Sequence, residues 1–324
     1  MKALLCKTHG LPETLVVEEV ADLEPAAGEV VIGVKAASVN FPDTLIIQNL
    51  YQFKPELPFS PGGECAGVVL KVGEGVTSVK PGDSVIAFTG WGAFAEQVCA
   101  DAGVVIPMPP GVDYNVAASF VMTYGTSYHA LKDRGSLQQG ETLLVLGASG
   151  GVGLAAVEIG KALGARVIAA ASTDDKLAVC KAHGADELIN YSSENLRERL
   201  KSLTDGKGVD VIYDPVGGPF TEQALRSSAW RGRLLVVGFA NGEIPRIPLN
   251  LTLLKGCSIN GVFWGDFVKR EPQNNIADLT TLFGWMLDGK LKPRISGSYP
   301  LERGGEAIQA LMERRVSGKV VINP

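Results

Sequence analysis

Seven consecutive residues carry the clearest chemical signal in this chain. Gly147-Ala148-Ser149-Gly150-Gly151-Val152-Gly153 follow the apolar run Leu143-Leu144-Val145-Leu146 and open a helical pattern that continues to Leu163. Within them, Ala148-x-Gly150-x-x-Gly153 is a variant of the G-x-G-x-x-G fingerprint with Ala in first place. Small residues let the backbone approach a pyrophosphate, and the start of a helix offers free N–H groups and a partial positive charge. Ala148, Ser149, Gly150, Gly151 and Val152 are therefore candidate contacts to a dinucleotide. The same atoms also read as G-x-S-x-G, the nucleophile elbow of a serine hydrolase, with Ser149 as nucleophile. Such hydrolases place an acid and then a histidine after the serine. Of His9, His129 and His183, only His183 follows, and it falls on the next predicted helix rather than on a late loop. The turn is read as phosphate-binding, with Ser149 helping to hold phosphate.

The second strand of the same unit selects the cofactor. A free ribose 2′-hydroxyl calls for Asp or Glu about twenty residues beyond the glycines. At that distance stand Ser172-Thr173, and the strand tip carries no carboxylate. The Ser172 hydroxyl and the Lys176 ammonium instead suit a 2′-phosphate through charge-assisted hydrogen bonds, which favours NADPH over NADH. Asp174 and Asp175 complicate that assignment, but they fall in the first turn of the next predicted helix, where negative charge is favourable.

These residues need a scaffold, and the apolar rhythm supplies it. From residue 119 to 259, wholly apolar strands alternate with helices of ten or so residues, the pattern of a doubly wound parallel sheet covered on both faces. Residues 1–118 differ: short apolar runs such as Val30-Val31-Ile32-Gly33-Val34 are broken by turn chemistry at Gly73-Glu74-Gly75 and Lys80-Pro81-Gly82-Asp83, as in a β sandwich or partly open barrel. Residues 260–324 are assigned to this first domain as its discontinuous completion.

Several motifs in order then resemble the medium-chain dehydrogenases/reductases. They are Ala37-Ser38-Val39-Asn40-Phe41-Pro42-Asp43, Pro61-Gly62-Gly63-Glu64-Cys65-Ala66-Gly67, Val79-Lys80-Pro81-Gly82-Asp83-Ser84-Val85, the Gly147 turn and the final Gly318-Lys319-Val320-Val321. More narrowly, the chain resembles the zinc-independent, NADPH-dependent quinone oxidoreductases over its whole length. That likeness implies an α/β protein with a GroES-like β-rich catalytic domain, an inserted Rossmann domain, and a homodimer. It also implies a nicotinamide site in the cleft between the domains. Asn40 and Tyr51 match cofactor- and substrate-facing positions, with Tyr51 as a donor to the substrate oxygen or a proton source. Their alternative readings are a turn residue and an aromatic at the domain seam, and Asp43 is read as structuring its loop. By the same likeness Thr126 approaches the nicotinamide ribose and Tyr191 the adenosine phosphate, while Gly238, Phe239, Phe263 and Trp264 line the nicotinamide end. Phe and Trp at such positions are more often core.

The departures matter as much. Zinc-binding relatives carry Cys where Asn40 stands, His where Gly63 stands, and a third ligand near Met122. Asn, Gly and Met cannot form a catalytic zinc site. Without a Lewis acid an unactivated alcohol is hard to oxidise, whereas a quinone or α,β-unsaturated carbonyl needs only orientation and a hydrogen bond to its developing oxyanion. The expectation is a metal-free NADPH-dependent reductase of such acceptors. An enoyl-thioester reductase is the alternative, since Asn40-x-x-Asp43…Tyr51 occurs there too; a non-catalytic NADPH-binding protein is the alternative of another class.

Composition removes other classes. With 324 residues, 46% hydrophobic and 20% charged, the chain can bury ample apolar area, which excludes disorder. A net charge of −5 favours neither nucleic acid nor anionic lipid. Five scattered cysteines with no C-x-x-C exclude a disulfide framework. Residues 142–157 are uncharged but fall short of the ~20 needed to span a bilayer, and no signal peptide is evident. The chain reads as a soluble cytoplasmic globule.

Overall fold

The computed structural model describes residues 1–324. It divides into two compact units, Met1–Met122 with Pro293–Pro324, and Thr123–Lys292.

The second unit is built on six parallel strands in the order Glu187–Asn190, Arg166–Ala171, Thr142–Leu146, Val209–Asp214, Ser228–Val236 and Ser258–Gly261. Leu143, Leu144, Val145 and Leu146 are wholly buried, as a strand covered on both faces requires. Leu144, Leu146, Ile168 and Ile212 pack with Leu196 and Leu200 of helix Leu196–Leu203 and with Ala224 and Leu225 of helix Pro219–Arg226. Helix Gly151–Ala162 packs closely enough that a Cβ on Gly160 would lie 2.6 Å from the Leu143 side chain. The strand order reverses direction beside Thr142–Leu146. That places the fingerprint turn at the switch point where doubly wound sheets bind ligands.

The sequence assigned residues 260–292 to the first domain; here they belong with the second unit. Strand Ser258–Gly261 pairs in parallel with Ser228–Val236, and helices Trp264–Arg270 and Pro272–Leu287 follow it. The Trp264 indole closes on Gly125, where an added Cβ would sit 2.8 Å away, and the Tyr128 and Trp285 rings meet edge to face at 5.6 Å. These ring contacts place the segment in the second unit, which no periodicity in the chain reveals.

In the first unit a ten-residue strand, Glu29–Ser38, is the axis of a mixed seven-stranded sheet. One edge pairs with Glu64–Val72. The other pairs with Gln97–Asp101 along its first half and with Lys319–Asn323 at its end. The last strand of the chain is thereby brought beside residues 38–40, with Val39 N–H donating to Val320 C=O at 3.0 Å. No helix in the protein is long and apolar enough to cross a membrane.

Candidate active site

In the second unit the fingerprint turn has the geometry its sequence demands. Gly147 adopts φ +56°, a left-handed conformation open to glycine. A Cβ on Gly153 would lie 2.3 Å from Gly147 C=O, so this glycine lets the helix seat against the turn. Gly150 is the N-cap of helix Gly151–Ala162, and a Cβ there would meet nothing closer than 3.4 Å. The approach to the first N–H groups is open, as a pyrophosphate requires. Ala148 and Ser149 are buried beneath the turn, while Gly151 and Val152 are half-buried at the helix start. Ser127 Oγ donates to Val152 C=O at 2.8 Å and so fixes helix Val121–Tyr128, which carries Thr126, against the fingerprint helix.

At the second strand tip, Lys176 Nζ donates to Ser172 Oγ at 3.3 Å, bringing ammonium and hydroxyl together. Thr173 caps the following helix, accepting from Lys176 N–H at 3.3 Å. The Asp174 carboxylate is engaged by Asn190 Nδ2 at 2.8 Å. The Tyr191 ring rests on Phe220, their centroids 4.4 Å apart. This cradle of small residues, free helix N–H groups and a Lys–Ser pair fits a phosphorylated dinucleotide.

The remaining expected positions divide. Gly238 and Phe239 follow strand Ser228–Val236 and are half-buried, and Phe263 is exposed. Trp264 is buried, and its indole N–H donates to Asn275 Oδ1 at 3.2 Å, which packs the ring into the second unit. His183 does not serve Ser149: its Nδ1 lies 2.6 Å from Glu158 Oε1, about two helical turns beyond the fingerprint. Glu158 also accepts from the Tyr124 hydroxyl at 2.7 Å and Lys292 N–H at 3.0 Å, which removes the hydrolase arrangement.

Sequence reasoning missed Asp214. Its buried carboxylate accepts from Val216 N–H and Gly217 N–H, both at 2.9 Å, and from Thr221 Oγ1 at 2.5 Å. It shapes the loop beside the fingerprint, where Val216 would stand 2.8 Å from any Cβ on Gly147. The run Asp214-Pro215-Val216-Gly217-Gly218 held the signal, because Asp before Pro and Gly is turn chemistry.

In the first unit, Asn40 precedes helix Phe41–Ile46, whose early Pro suits a first turn. Asp43 reaches back to Asn40 N–H at 2.7 Å, and its other oxygen accepts from Gly62 N–H at 3.1 Å. One carboxylate thus ties the Asn40 motif to the Pro61-Gly62-Gly63-Glu64 motif. Burial pushes the Asp43 carboxyl up to about 7, although both backbone donors and the Lys319 ammonium favour its charged form.

The Asn40 amide turns inward. Its Nδ2 donates to Ser38 C=O at 3.2 Å, Ser38 Oγ at 3.1 Å and Glu64 Oε1 at 3.0 Å, while its Oδ1 accepts from Lys319 Nζ. Glu64, wholly buried, also accepts from Ser38 Oγ at 2.5 Å and Met122 N–H at 3.0 Å. Lys319 Nζ donates to Val39 C=O at 2.9 Å and lies 3.5 Å from Glu64 Oε1. Burial lowers the Lys319 ammonium, opposed by Glu64 and Asp43. In this structure the Asn40 amide is thus an internal strut between Ser38, Glu64 and Lys319.

Tyr51 stands apart from this network, half-buried with its ring edge-on to Phe53 at 5.5 Å. Burial first, and then the negative charge of Asp43, raise its phenol above the usual value. It stays protonated at neutral pH, as a hydrogen-bond donor must.

Two family models match the chain: one described as an alcohol dehydrogenase GroES-like domain over residues 26–110, the other as a zinc-binding dehydrogenase over residues 151–281. A quinone oxidoreductase-like protein 2 homolog of Nematostella vectensis is 40% identical across 99% of this chain and 88% of its own. A quinone oxidoreductase of Pseudomonas aeruginosa is 34% identical across 100% and 99%. The crystal structure of Escherichia coli quinone oxidoreductase complexed with NADPH superposes with a TM-score of 0.93 at 30% identity, covering both chains fully. One description names zinc, yet the residues here do not fit that ion. No three His, Cys, Asp or Glu side chains are grouped to hold a metal, and the acidic pocket around Asn40 already contains the Lys319 ammonium.

Proposed function

Because the chain belongs to the quinone oxidoreductase family of the medium-chain dehydrogenases/reductases, we propose that it reduces quinones or α,β-unsaturated carbonyls with NADPH and without a metal. One observation carries the reading: the open helix N-terminus at Gly150–Val152 shares its sheet with the Ser172–Lys176 pair at the neighbouring strand tip. The first suits a pyrophosphate and the second a 2′-phosphate.

NADPH, when bound, supplies the hydride. The backbone N–H groups at the start of helix Gly151–Ala162 hold its pyrophosphate, and Lys176 with Ser172 holds the 2′-phosphate. Tyr51 donates a hydrogen bond to the acceptor oxygen on which charge develops, the interaction that lowers the barrier most for a carbonyl acceptor. Burial keeps that phenol above its ordinary value, and Asp43 anchors the loop through Asn40 and Gly62.

The test is a panel of 1,4-benzoquinones, enones and enoyl thioesters, assayed with NADPH and with NADH. Steady NADPH consumption with quinones or simple enones is expected. Turnover confined to enoyl thioesters would move the protein to the alternative reductase class. A tight NADPH complex that reduces nothing would make it a binding protein.

A homodimer is part of the same reading. Strand Ser258–Gly261 is a sheet edge with one hydrogen-bonded neighbour. Trp230, on the neighbouring strand, and Leu249, Leu253 and Leu254, just before the edge, are all exposed. A second copy related by a twofold axis would cover the apolar side chains and pair the edge.

A further inference from the structure

We propose that Lys319 and Glu64 are positioning residues for the reaction: acting through Asn40, they hold the start of the helix that leads to Tyr51, and the last strand of the chain is a working part of the site. The inference rests on the functional reading above and adds residues to it.

The network has one consistent arrangement. The two N–H bonds of Asn40 face Ser38 and Glu64, and its carbonyl oxygen faces the Lys319 ammonium. Reversing the amide would set its NH2 against an ammonium and its oxygen against a carboxylate, so both ends lock the same orientation. Three segments remote in sequence meet here: Asn40, Glu64 at the start of its strand, and Lys319 at the start of the last strand. Glu64, Lys319 and Asp43 are all buried, two acids facing one base.

A buried ion pair contributes little to stability compared with apolar residues of the same volume, so its presence points to a geometric purpose. That purpose is visible in what the pair touches. Lys319 holds Val39 C=O as well as Asn40, fixing the two residues that enter helix Phe41–Ile46. Asp43, one turn into that helix, closes the opposite side on Asn40 N–H and Gly62 N–H. The helix entry is pinned from both directions, and Tyr51 follows a few residues beyond the helix end. A phenol that must meet a developing charge gains from such pinning, because small misplacements cost large factors in rate.

The experiment compares full-length wild type with Lys319→Met, Lys319→Arg, Ser38→Ala, Asn40→Ala and the Lys319→Met/Asn40→Ala double variant. Steady-state kinetics with NADPH and 1,4-benzoquinone are paired with NADPH titration by fluorescence. Lys319→Met is expected to keep its NADPH Kd within about twofold while kcat falls at least about tenfold, with partial recovery in Lys319→Arg. The double variant is expected to lose no more than the worse single one, because both changes break the same strut. A Lys319→Met kcat within about twofold of wild type, or losses that multiply in the double variant, would overturn the positioning role. Should Lys319→Met fail to fold, Ser38→Ala decides: it removes one hydroxyl, and unchanged kcat overturns the proposal where a several-fold fall supports it. A wild type that binds NADPH but reduces no acceptor overturns the functional reading itself, a result distinct from both.

Discussion

Tyr51, Lys176 and Asp43 each carry a separable chemical expectation. Tyr51→Phe should lower kcat for enones more than for quinones, since water readily protonates the oxygens of a reduced quinone; parallel assays on one preparation would show it, and negligible losses on both would remove Tyr51 from the mechanism. On the proposed binding mode Lys176→Ala should raise the KM for NADPH far more than that for NADH, because NADH lacks the 2′-phosphate that the ammonium would hold; equal effects on both cofactors would exclude that contact. Asp43 predicts a pH dependence with a definite sign. Folded, its carboxyl holds a proton up to about 7, whereas the ordinary value is 3.8. Between those values the folded state binds the extra proton, so this group's contribution to stability falls as pH rises and is fully lost above 7. Relative to Asp43→Asn, wild type should therefore lose on the order of 2–3 kcal/mol between pH 5 and 8, measurable by urea unfolding. A difference that stays constant across that range would place the carboxyl's titration elsewhere.

The fingerprint turn makes two glycines testable against each other. Gly153 has no room for a side chain, since a Cβ would fall 2.3 Å from Gly147 C=O, whereas Gly150 has ordinary φ and a nearest neighbour at 3.4 Å. Gly153→Val should destabilise by about 1–3 kcal/mol through overpacking and weaken NADPH binding as the helix shifts. Gly150→Ala should leave the melting temperature nearly unchanged yet weaken NADPH at least about tenfold, because on the proposed binding mode its methyl group would stand where the pyrophosphate approaches. Thermal melts and fluorescence titrations separate the two effects. Equal loss of stability in both variants would mean that the turn is packed throughout rather than open at Gly150. The catalytic elements follow a related logic: helix Phe41–Ile46 is short, and side chains from three other segments hold its entry, since six residues are too few to stand alone.

For the assembled protein, the open sheet edge and its exposed leucines lead to a concentration-dependent expectation. Sedimentation should find a dimer at micromolar concentration, and Leu253→Glu with Leu254→Glu should yield a folded monomer; a wild type that sediments as a monomer would leave that face without its proposed partner. The two units also differ in how they were legible. Five strands of the parallel sheet were readable from their apolar runs, because burial on both faces calls for such runs, whereas its edge strand Ser258–Gly261 was not. The boundary near residue 292 was not. It depends on which core Trp264 and Trp285 enter, and an aromatic residue reads alike in either.

Local chemistry was written in the chain: the fingerprint glycines and the Ser172–Lys176 pair in place of a carboxylate follow from residue type and spacing, while the family resemblance sets Asn40, Gly63 and Met122 where zinc-binding relatives carry ligands. The linkage of Asn40 to Glu64 and Lys319 was not, although each stands in a motif that was noticed. Hydrogen bonds among buried side chains 24 and 279 positions apart leave no periodicity and no local propensity. They exist because strand pairing returns the end of the chain to residue 38, and it is there that Asn40 is held as a strut.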